Sequence, residues 1–234
     1  MNKNTAILNW SGGKDSALAL YKILQLNKLR IKYLVTSVSE EFNRISMHGV
    51  RTELLIKQTH SIGIPLREIK LPEKADIEIY NRVMEDCMTY FVNDGISTSI
   101  FGDIFLEDLR IYREKQLEKI GMKASFPLWK IDTKELAEEF IQLGFKTIIT
   151  CVDAQKLDKS FVGRLYNKEF LADLPSTVDP CGENGEFHTF VFDGPIFSHP
   201  ITFTKGGKVY KTYSKQTRDS ESESGFWYID LISN

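Results

Sequence analysis

Ser11-Gly12-Gly13-Lys14-Asp15-Ser16 gathers two glycines, two hydroxyls, an ammonium and a carboxylate into six residues. An apolar run, Ala6-Ile7-Leu8-Asn9-Trp10, precedes it, and Ala17–Leu24, rich in helix formers, follows it. The hexapeptide therefore stands where a strand hands over to a helix. Its glycines let a ligand approach the main chain closely. The first N–H groups of a helix have no intrahelical partner, so loop and helix amides together form a positive cup suited to phosphate oxygens. Ser11 and Ser16 add hydroxyl donors and Lys14 a mobile charge. This is not a Walker A loop, which needs Gly-Lys-Ser/Thr after a glycine and four residues. Here Asp15 follows the lysine. A carboxylate beside a triphosphate repels it unless a divalent cation lies between or the side chain turns away. The plainer alternative is a glycine-rich turn.

A second dense stretch, Val178–Thr189, holds two glycines, three carboxylates, a histidine, an asparagine, a thiol and a threonine. A turn alone does not need that inventory, and such loops often carry function. Glu183 and Glu186 could bind magnesium, orient an amine or accept its protons. His188 joins them as a catalytic candidate, and Asn184 and Thr189 as substrate contacts. Cys181 reads either as a nucleophile or as a small residue at a tight turn. Elsewhere, Met47–Arg51 offers His48 as a general base and Arg51 as an anion clamp, or a capping histidine and a surface arginine. Asp103, after Gly102 at the end of a buried strand, could hold magnesium or cap the next helix. Arg110 and Arg113 sit among Glu107, Asp108, Glu114 and Glu118, which reads as a solvated, salt-bridged face.

The elements that position these residues alternate between strand and helix through the first half, the pattern of a parallel sheet with crossover helices. Strands are expected at 6–10, 31–39, 64–71, 99–101 and 123–126. Helices are expected at 14–26, 49–62, 75–92 and 106–120. Pro127-Leu128-Trp129 breaks the alternation. The predicted domains are therefore 1–130, doubly wound α/β, and 131–234, a smaller α+β unit. The second has a helix capped by Asp132, a strand at 145–152, a helix at 158–172, and β structure around 189–192, 201–213 and 225–232. Gly206-Gly207 reads as a hairpin turn and Asp219–Ser224 as a solvated loop. Ligands of open parallel sheets bind at the carboxyl ends of the strands. That rule gathers Ser11–Ser16, Thr36–Val38 with Ser37, and Gly102-Asp103 at one edge, where the backbone of Thr36–Val38 can pair with adenine.

The net charge of −2 gives no global basic field, so nucleic acid is not expected as a partner. No apolar run approaches a membrane span and no secretory signal opens the chain. Cys87, Cys151 and Cys181 are too far apart for a zinc ribbon or a disulfide framework. A cytoplasmic setting is expected.

Ser11–Ser16 resembles the PP-loop, Ser-Gly-Gly-x-Asp-Ser, of the ATP pyrophosphatase superfamily. Met47–Arg51, Gly102–Ile104, Phe126–Trp129 and the Gly-Glu-Asn-Gly-Glu-Phe-His-Thr-Phe string from Gly182 extend the likeness to nearly the whole chain. Together they resemble the diphthine–ammonia ligase family, also described as diphthamide-synthesis ATP-binding domain proteins. Asn184 stands where a glycine is usual. The resemblance implies an adenine nucleotide alpha hydrolase-like fold and an ATP-dependent amide ligase. ATP with Mg2+, the metal held at Asp15 and Asp103, adenylates a substrate carboxylate and releases pyrophosphate, and ammonia then displaces AMP. The partners it implies are the carboxylate acceptor, small or protein-borne, and ammonia, and a homodimer is among the expected assemblies. Two other readings stand beside it, a PP-loop enzyme modifying transfer RNA and an ATP-binding protein without catalysis. The missing C-x-x-C and basic stretch weigh against the former.

Overall fold

The computed structural model describes residues 4–39, 44–45, 49–72, 77–217 and 220–234. Ala6, Ile7 and Leu8 of β1 (Asn4–Asn9) are wholly buried. A strand with no exposed face belongs inside a parallel sheet covered on both sides. β1 pairs in parallel with β2 (Leu29–Ser39) and with β5 (Thr98–Ile100). β4 (Leu66–Leu71) lies parallel outside β2, and β6 (Lys123–Ser125) outside β5. The parallel order is therefore β4-β2-β1-β5-β6. A two-residue antiparallel strand, β3 (Arg44–Ile45), adds to the end of β2 and was not expected from the sequence.

Side-chain alternation along β1 sets the two faces. Ala6 and Leu8 share a core with α1 (Lys14–Leu26) and α2 (Thr52–Ile62), while Ile7 shares one with α3 (Ile77–Asn93) and α4 (Glu107–Glu118). α1 stops at Asn27, whose φ of 51° is left-handed and whose N–H bonds the carbonyls of Ile23 and Leu24. Asparagine tolerates that conformation well. The direction of sheet winding reverses between β1 and β5, which opens a crevice at their carboxyl ends.

The second sheet is antiparallel. Its strands β7 (Lys146–Asp153), β8 (Phe187–Asp193), β9 (Phe203–Thr217) and β10 (Ser220–Ser233) run in the order β8-β7-β10-β9. It carries α5 (Thr133–Gln142) and α6 (Lys168–Asp173). Asp132 caps α5 as expected, its Oδ1 accepting from the N–H groups of Lys134 and Glu135 at 2.9 and 3.1 Å. The architecture is thus the expected doubly wound α/β sheet with a smaller α+β part. One core crosses between them, uniting Ala17 and Leu20 with Phe140, Phe145 and Phe190.

Two local expectations fail. The helix expected at 158–172 survives only as α6. The preceding stretch instead lies beside β7, with Gly163 N donating to Ile149 O, and Ile149 N donating to Arg164 O, both at 2.9 Å. Burial of Phe161, Val162 and Tyr166 against the second sheet overrides helix propensity there. Gly206-Gly207 is no turn but lies inside β9, where the register shifts opposite Ile229 to Leu231. Ser220–Ser224, read as loop, belongs to β10, and Asp219 lies outside the described residues.

Candidate functional site

β1 ends at Asn9 and α1 begins at Lys14, so the hexapeptide is the strand-to-helix turn the sequence implies. Gly13 occupies the N-cap without a side chain to cap the helix. The other sheet supplies the missing acceptor, since Lys14 N donates to Thr189 Oγ1 on β8 at 3.0 Å. β8 also donates Val191 N to Gly12 O at 2.9 Å. Gln58 of α2 clasps both chains, its Nε2 donating to Gly12 O at 3.0 Å and Val191 O at 2.6 Å. Its Oε1 accepts from Trp10 Nε1 at 2.9 Å. Gln58 is wholly buried and all of its amide donors and its oxygen are engaged. Gly12 has φ +75° and a Cβ there would stand 2.7 Å from Gln58 Oε1, so both backbone and space call for glycine.

Inside the loop, Ser16 Oγ donates to Gly13 O at 2.9 Å and lies 3.2 Å from Ser11 Oγ. Lys14 is buried, with Nζ 2.6 and 2.8 Å from the two Asp15 oxygens. Burial pulls its pKa down, contact with Asp15 outweighs that, and the ammonium ends above its ordinary value. The lysine is therefore a permanent charge whose present partner is its own neighbour.

β5 delivers the second component. A Cβ on Gly102 would fall 2.9 Å from the carbonyl carbon of Asp15, so the two loops touch backbone to backbone. Asp103 faces Arg113 of α4, with Nε 3.1 Å from Oδ2 and Nη2 donating to Oδ1 at 3.3 Å. The Nε approach is misdirected for a hydrogen bond, leaving Oδ2 buried without one. Burial raises the Asp103 carboxyl, Arg113 opposes that, and Asp15 adds to it. Arg113 also lies over the Phe101 ring at 4.3 Å, Phe101 stacks on Phe126, and Arg110 covers Phe126 and Trp129. The arginine face read as solvated thus includes a site residue, Arg113.

The loop before β8 organises itself around two carboxylates. Asp179 Oδ1 accepts from Cys181 N at 2.8 Å and Glu183 N at 3.2 Å. Glu186 is buried, its Oε1 accepting from Asp179 N and Asn184 Nδ2, and its Oε2 from Asn184 N. Glu183 points the other way and accepts Ile104 N at 2.7 Å, bridging this loop to the end of β5. Burial lifts its pKa to about 7, with Asp15 and Asp103 adding and Ile104 N and Lys14 opposing. His188, pushed down to about 4 by burial and then Lys14, is a neutral imidazole at pH 7. Cys181 is buried, donates to Thr133 O at 3.3 Å and is pushed up to about 12 by burial. That protonated thiol disfavours the nucleophile reading.

These pieces surround one cleft of about 750 Å³. Ser11, Lys14, Asp15 and Ser16 line it from β1, Ser37 from β2, and Gly102 and Asp103 from β5. Glu183, Asn184, His188 and Thr189 line it from the second sheet's side. Gly12 and Gly13 belong to the loop but not to the cleft wall. Glu186 is turned into its own loop. Arg51 is away from the cleft wall, its Nε and Nη2 spent on Asp230 at 3.1 and 2.7 Å. His48 lies outside the described residues. Sequence reading missed Trp10, Gln58 and Arg113, and of these only Arg113 had a signal, the aromatic residues Phe101, Phe126 and Trp129 near a basic helix. Among the described residues no helix is long and apolar enough to cross a membrane.

Residues 3–124 match the family model described as diphthamide synthase N-terminal domain, and residues 132–221 match diphthamide synthase C-terminal domain. The chain is similar to diphthine–ammonia ligase of Schizosaccharomyces pombe, 26% identical over 215 residues, 83% of this chain and 35% of the relative. It is similar to diphthine–ammonia ligase of Danio rerio at 26% over 216 residues, 82% of this chain and 83% of the relative. The Homo sapiens diphthine–ammonia ligase matches over 113 residues at 29% identity, 46% of this chain and 41% of the relative. The chain thus spans about a third of the length of the yeast relative.

Proposed function

The chain belongs to the diphthamide synthase family, and from that premise we propose that it is an ATP-dependent ligase that converts a carboxylate to a carboxamide. The observation that carries this is the closure of three loops on one cleft, the Ser11–Ser16 cup, the Gly102-Asp103 turn and the Glu183 bridge. The relatives named diphthine–ammonia ligase perform by name a ligation with ammonia, which agrees with it.

A carboxylate is a poor electrophile because its leaving group would be oxide. In the proposed reaction its oxygen attacks the α-phosphorus of ATP, the bond to the β-phosphate oxygen breaks, and pyrophosphate leaves. Ammonia then adds to the acyl carbon, the carbon–oxygen bond to AMP breaks, and one proton passes to a base. The loop amides, Ser11, Ser16 and Lys14 hold the departing pyrophosphate and offset its charge. Lys14 exchanges Asp15 for phosphate oxygens. Glu183, titrating near pH 7, is suited to take the amine's proton. His188 is neutral and serves as a hydrogen-bonding contact.

Asp103 and Asp15 fit a magnesium ion, because Asp103 Oδ2 is buried without a hydrogen bond and Asp15 is near enough to perturb it. No described group of three His, Cys, Asp or Glu residues would hold a metal alone. That is ordinary for Mg2+, which takes one or two carboxylates plus substrate phosphates. Bound there, it would supply charge neutralisation between phosphate and carboxylate.

The test is product analysis with ATP labelled at the α phosphate, Mg2+, ammonium and a small-molecule extract. Label in AMP, with pyrophosphate released and dependent on a fraction of the extract, is expected. ADP and inorganic phosphate would overturn adenylation.

A further inference from the structure

α4 carries two arginines three residues apart, and the structure places them differently. Arg110 is not part of the cleft wall, and its Nε donates to Glu114 Oε1 at 2.8 Å, a partly exposed pair at i,i+4 spacing. Arg113 stands on the cleft wall. Its guanidinium lies over the Phe101 ring, 4.3 Å from the centroid, and Phe101 is backed by Phe126 at 5.4 Å. An aromatic face holds a guanidinium and leaves its N–H edge for anions. Arginine has five such donors. Asp103 takes one of them at 3.3 Å, while Nε, 3.1 Å from Oδ2, is buried without a hydrogen bond. The guanidinium is thus held firmly but matched poorly to its present partner.

Two cation–carboxylate pairs meet where the Gly102 turn touches the Ser11–Ser16 loop, Lys14 with Asp15 and Arg113 with Asp103. These four charges sum to zero, so they offer a phosphate little attraction until the carboxylates find another partner. The Mg2+ proposed at Asp15 and Asp103 is such a partner, and it would free both cations together. β5 flanks β1 on the side opposite β2, whose carboxyl end is the adenine candidate. Arg113 therefore stands across the phosphate loop from the base. We propose that Arg113 is a second phosphate ligand of the cleft, exchanging Asp103 for an oxygen of the departing pyrophosphate as Lys14 exchanges Asp15. The assignment rests on the nucleotide site of the proposed function and not on the acceptor.

The test is calorimetric titration of the whole protein with inorganic pyrophosphate and with AMP, magnesium left out, in an Asp103→Asn background. Holding the Asp103 carboxylate no longer matters there, so an effect of Arg113 must come from its own contact with the ligand. Adding Arg113→Gln turns the ion pair into two amides and leaves no charge unpaired. The double variant should bind pyrophosphate about 10-fold more weakly than Asp103→Asn alone, the low end for a hydrogen bond to a charged group. Its AMP affinity should stay within about twofold. Arg113→Lys in the same background should recover part of the loss, supplying the charge without the fork. Arg110→Gln removes an equal charge from the same helix and should leave both affinities within about twofold. Equal pyrophosphate affinity in Asp103→Asn and the double variant would overturn the proposal and leave Arg113 as a support for Asp103. An equal loss for AMP would move the contact off the pyrophosphate and overturn it too. Titration of the parent with Mg2+ and an ATP analogue bearing a methylene between the α and β phosphates separates the two readings. A parent that does not bind the analogue removes the nucleotide site itself, whereas a parent that binds it beside two indistinguishable variants removes only the role of Arg113.

Discussion

The backbone N–H of Lys14 donates to the hydroxyl of Thr189, 175 residues further along the chain, at 3.0 Å. The helix that follows the Ser11–Ser16 loop is therefore capped from the other sheet. Val191 and Gln58 add a second tie at Gly12. The loop is held by the second sheet and by α2 as well as by its own hydroxyls, and both parts of the fold shape one site.

Thr189→Val keeps the shape of the side chain and removes the acceptor. It should lower stability by about 1 kcal/mol, the usual value of a helix cap, and weaken ATP binding. Thr189→Ser should restore both. Urea midpoints and ATP titration measure the pair, and a Val variant that binds ATP as the parent does would show that the cap is irrelevant to the cup.

Glu186 distinguishes organisation from catalysis. Its Oε1 accepts from Asp179 N and Asn184 Nδ2, and its Oε2 from Asn184 N, all within the loop. Glu186→Ala removes the acceptor of three partly buried hydrogen bonds, each worth about 0.5–1.5 kcal/mol net, so stability and turnover should fall together. Glu186→Gln still accepts through its oxygen and should recover part of both. A stable, folded Ala variant that lacks only turnover would return Glu186 to the reacting groups.

The legible part of the site was the part made of local chemistry. Ser11–Ser16 declares itself because strand, glycines and helix follow one another within a few residues, and the α1 boundaries follow from that. Glu183 and Asn184 declared themselves by density in one loop. Gln58 could not, because a glutamine in the middle of an amphipathic helix has no local mark, and its role appears only when β8 comes alongside. Arg51 misled for the reciprocal reason, since its partner Asp230 lies on the last strand. The lost helix at 158–172 and the misplaced hairpin at Gly206 have the same origin, pairing with a neighbouring strand, β7 in the first case and β10 in the second.

Asp103 is held between burial, which raises its pKa, and Arg113, which lowers it. Arg113→Ala should let the carboxyl rise further, moving the acid limb of the activity profile to higher pH. Asp103→Asn should cost on the order of 100-fold in turnover without unfolding the protein. Rate profiles against pH decide the first, and an unmoved acid limb would show that Asp103 does not titrate in that limb.

Glu183 carries a signed prediction for the ligand-free protein. Its folded pKa, about 7, lies above the ordinary value of 4.5. Below the ordinary value both states hold the proton and the group contributes no difference. As pH rises between the two values the unfolded chain ionises first, so stability falls, and the loss is complete once pH passes about 7. His188, depressed to about 4, works in the other direction, weakening the fold as pH drops from the ordinary imidazole range. Comparing the parent with Glu183→Gln cancels the histidine. The stability difference read from urea midpoints should grow in favour of Gln as pH rises through that window, by about 1.4 kcal/mol per pH unit at its steepest. Parallel curves for the two proteins would mean that Glu183 ionises in the fold as readily as in water, and would remove it as the base for the amine.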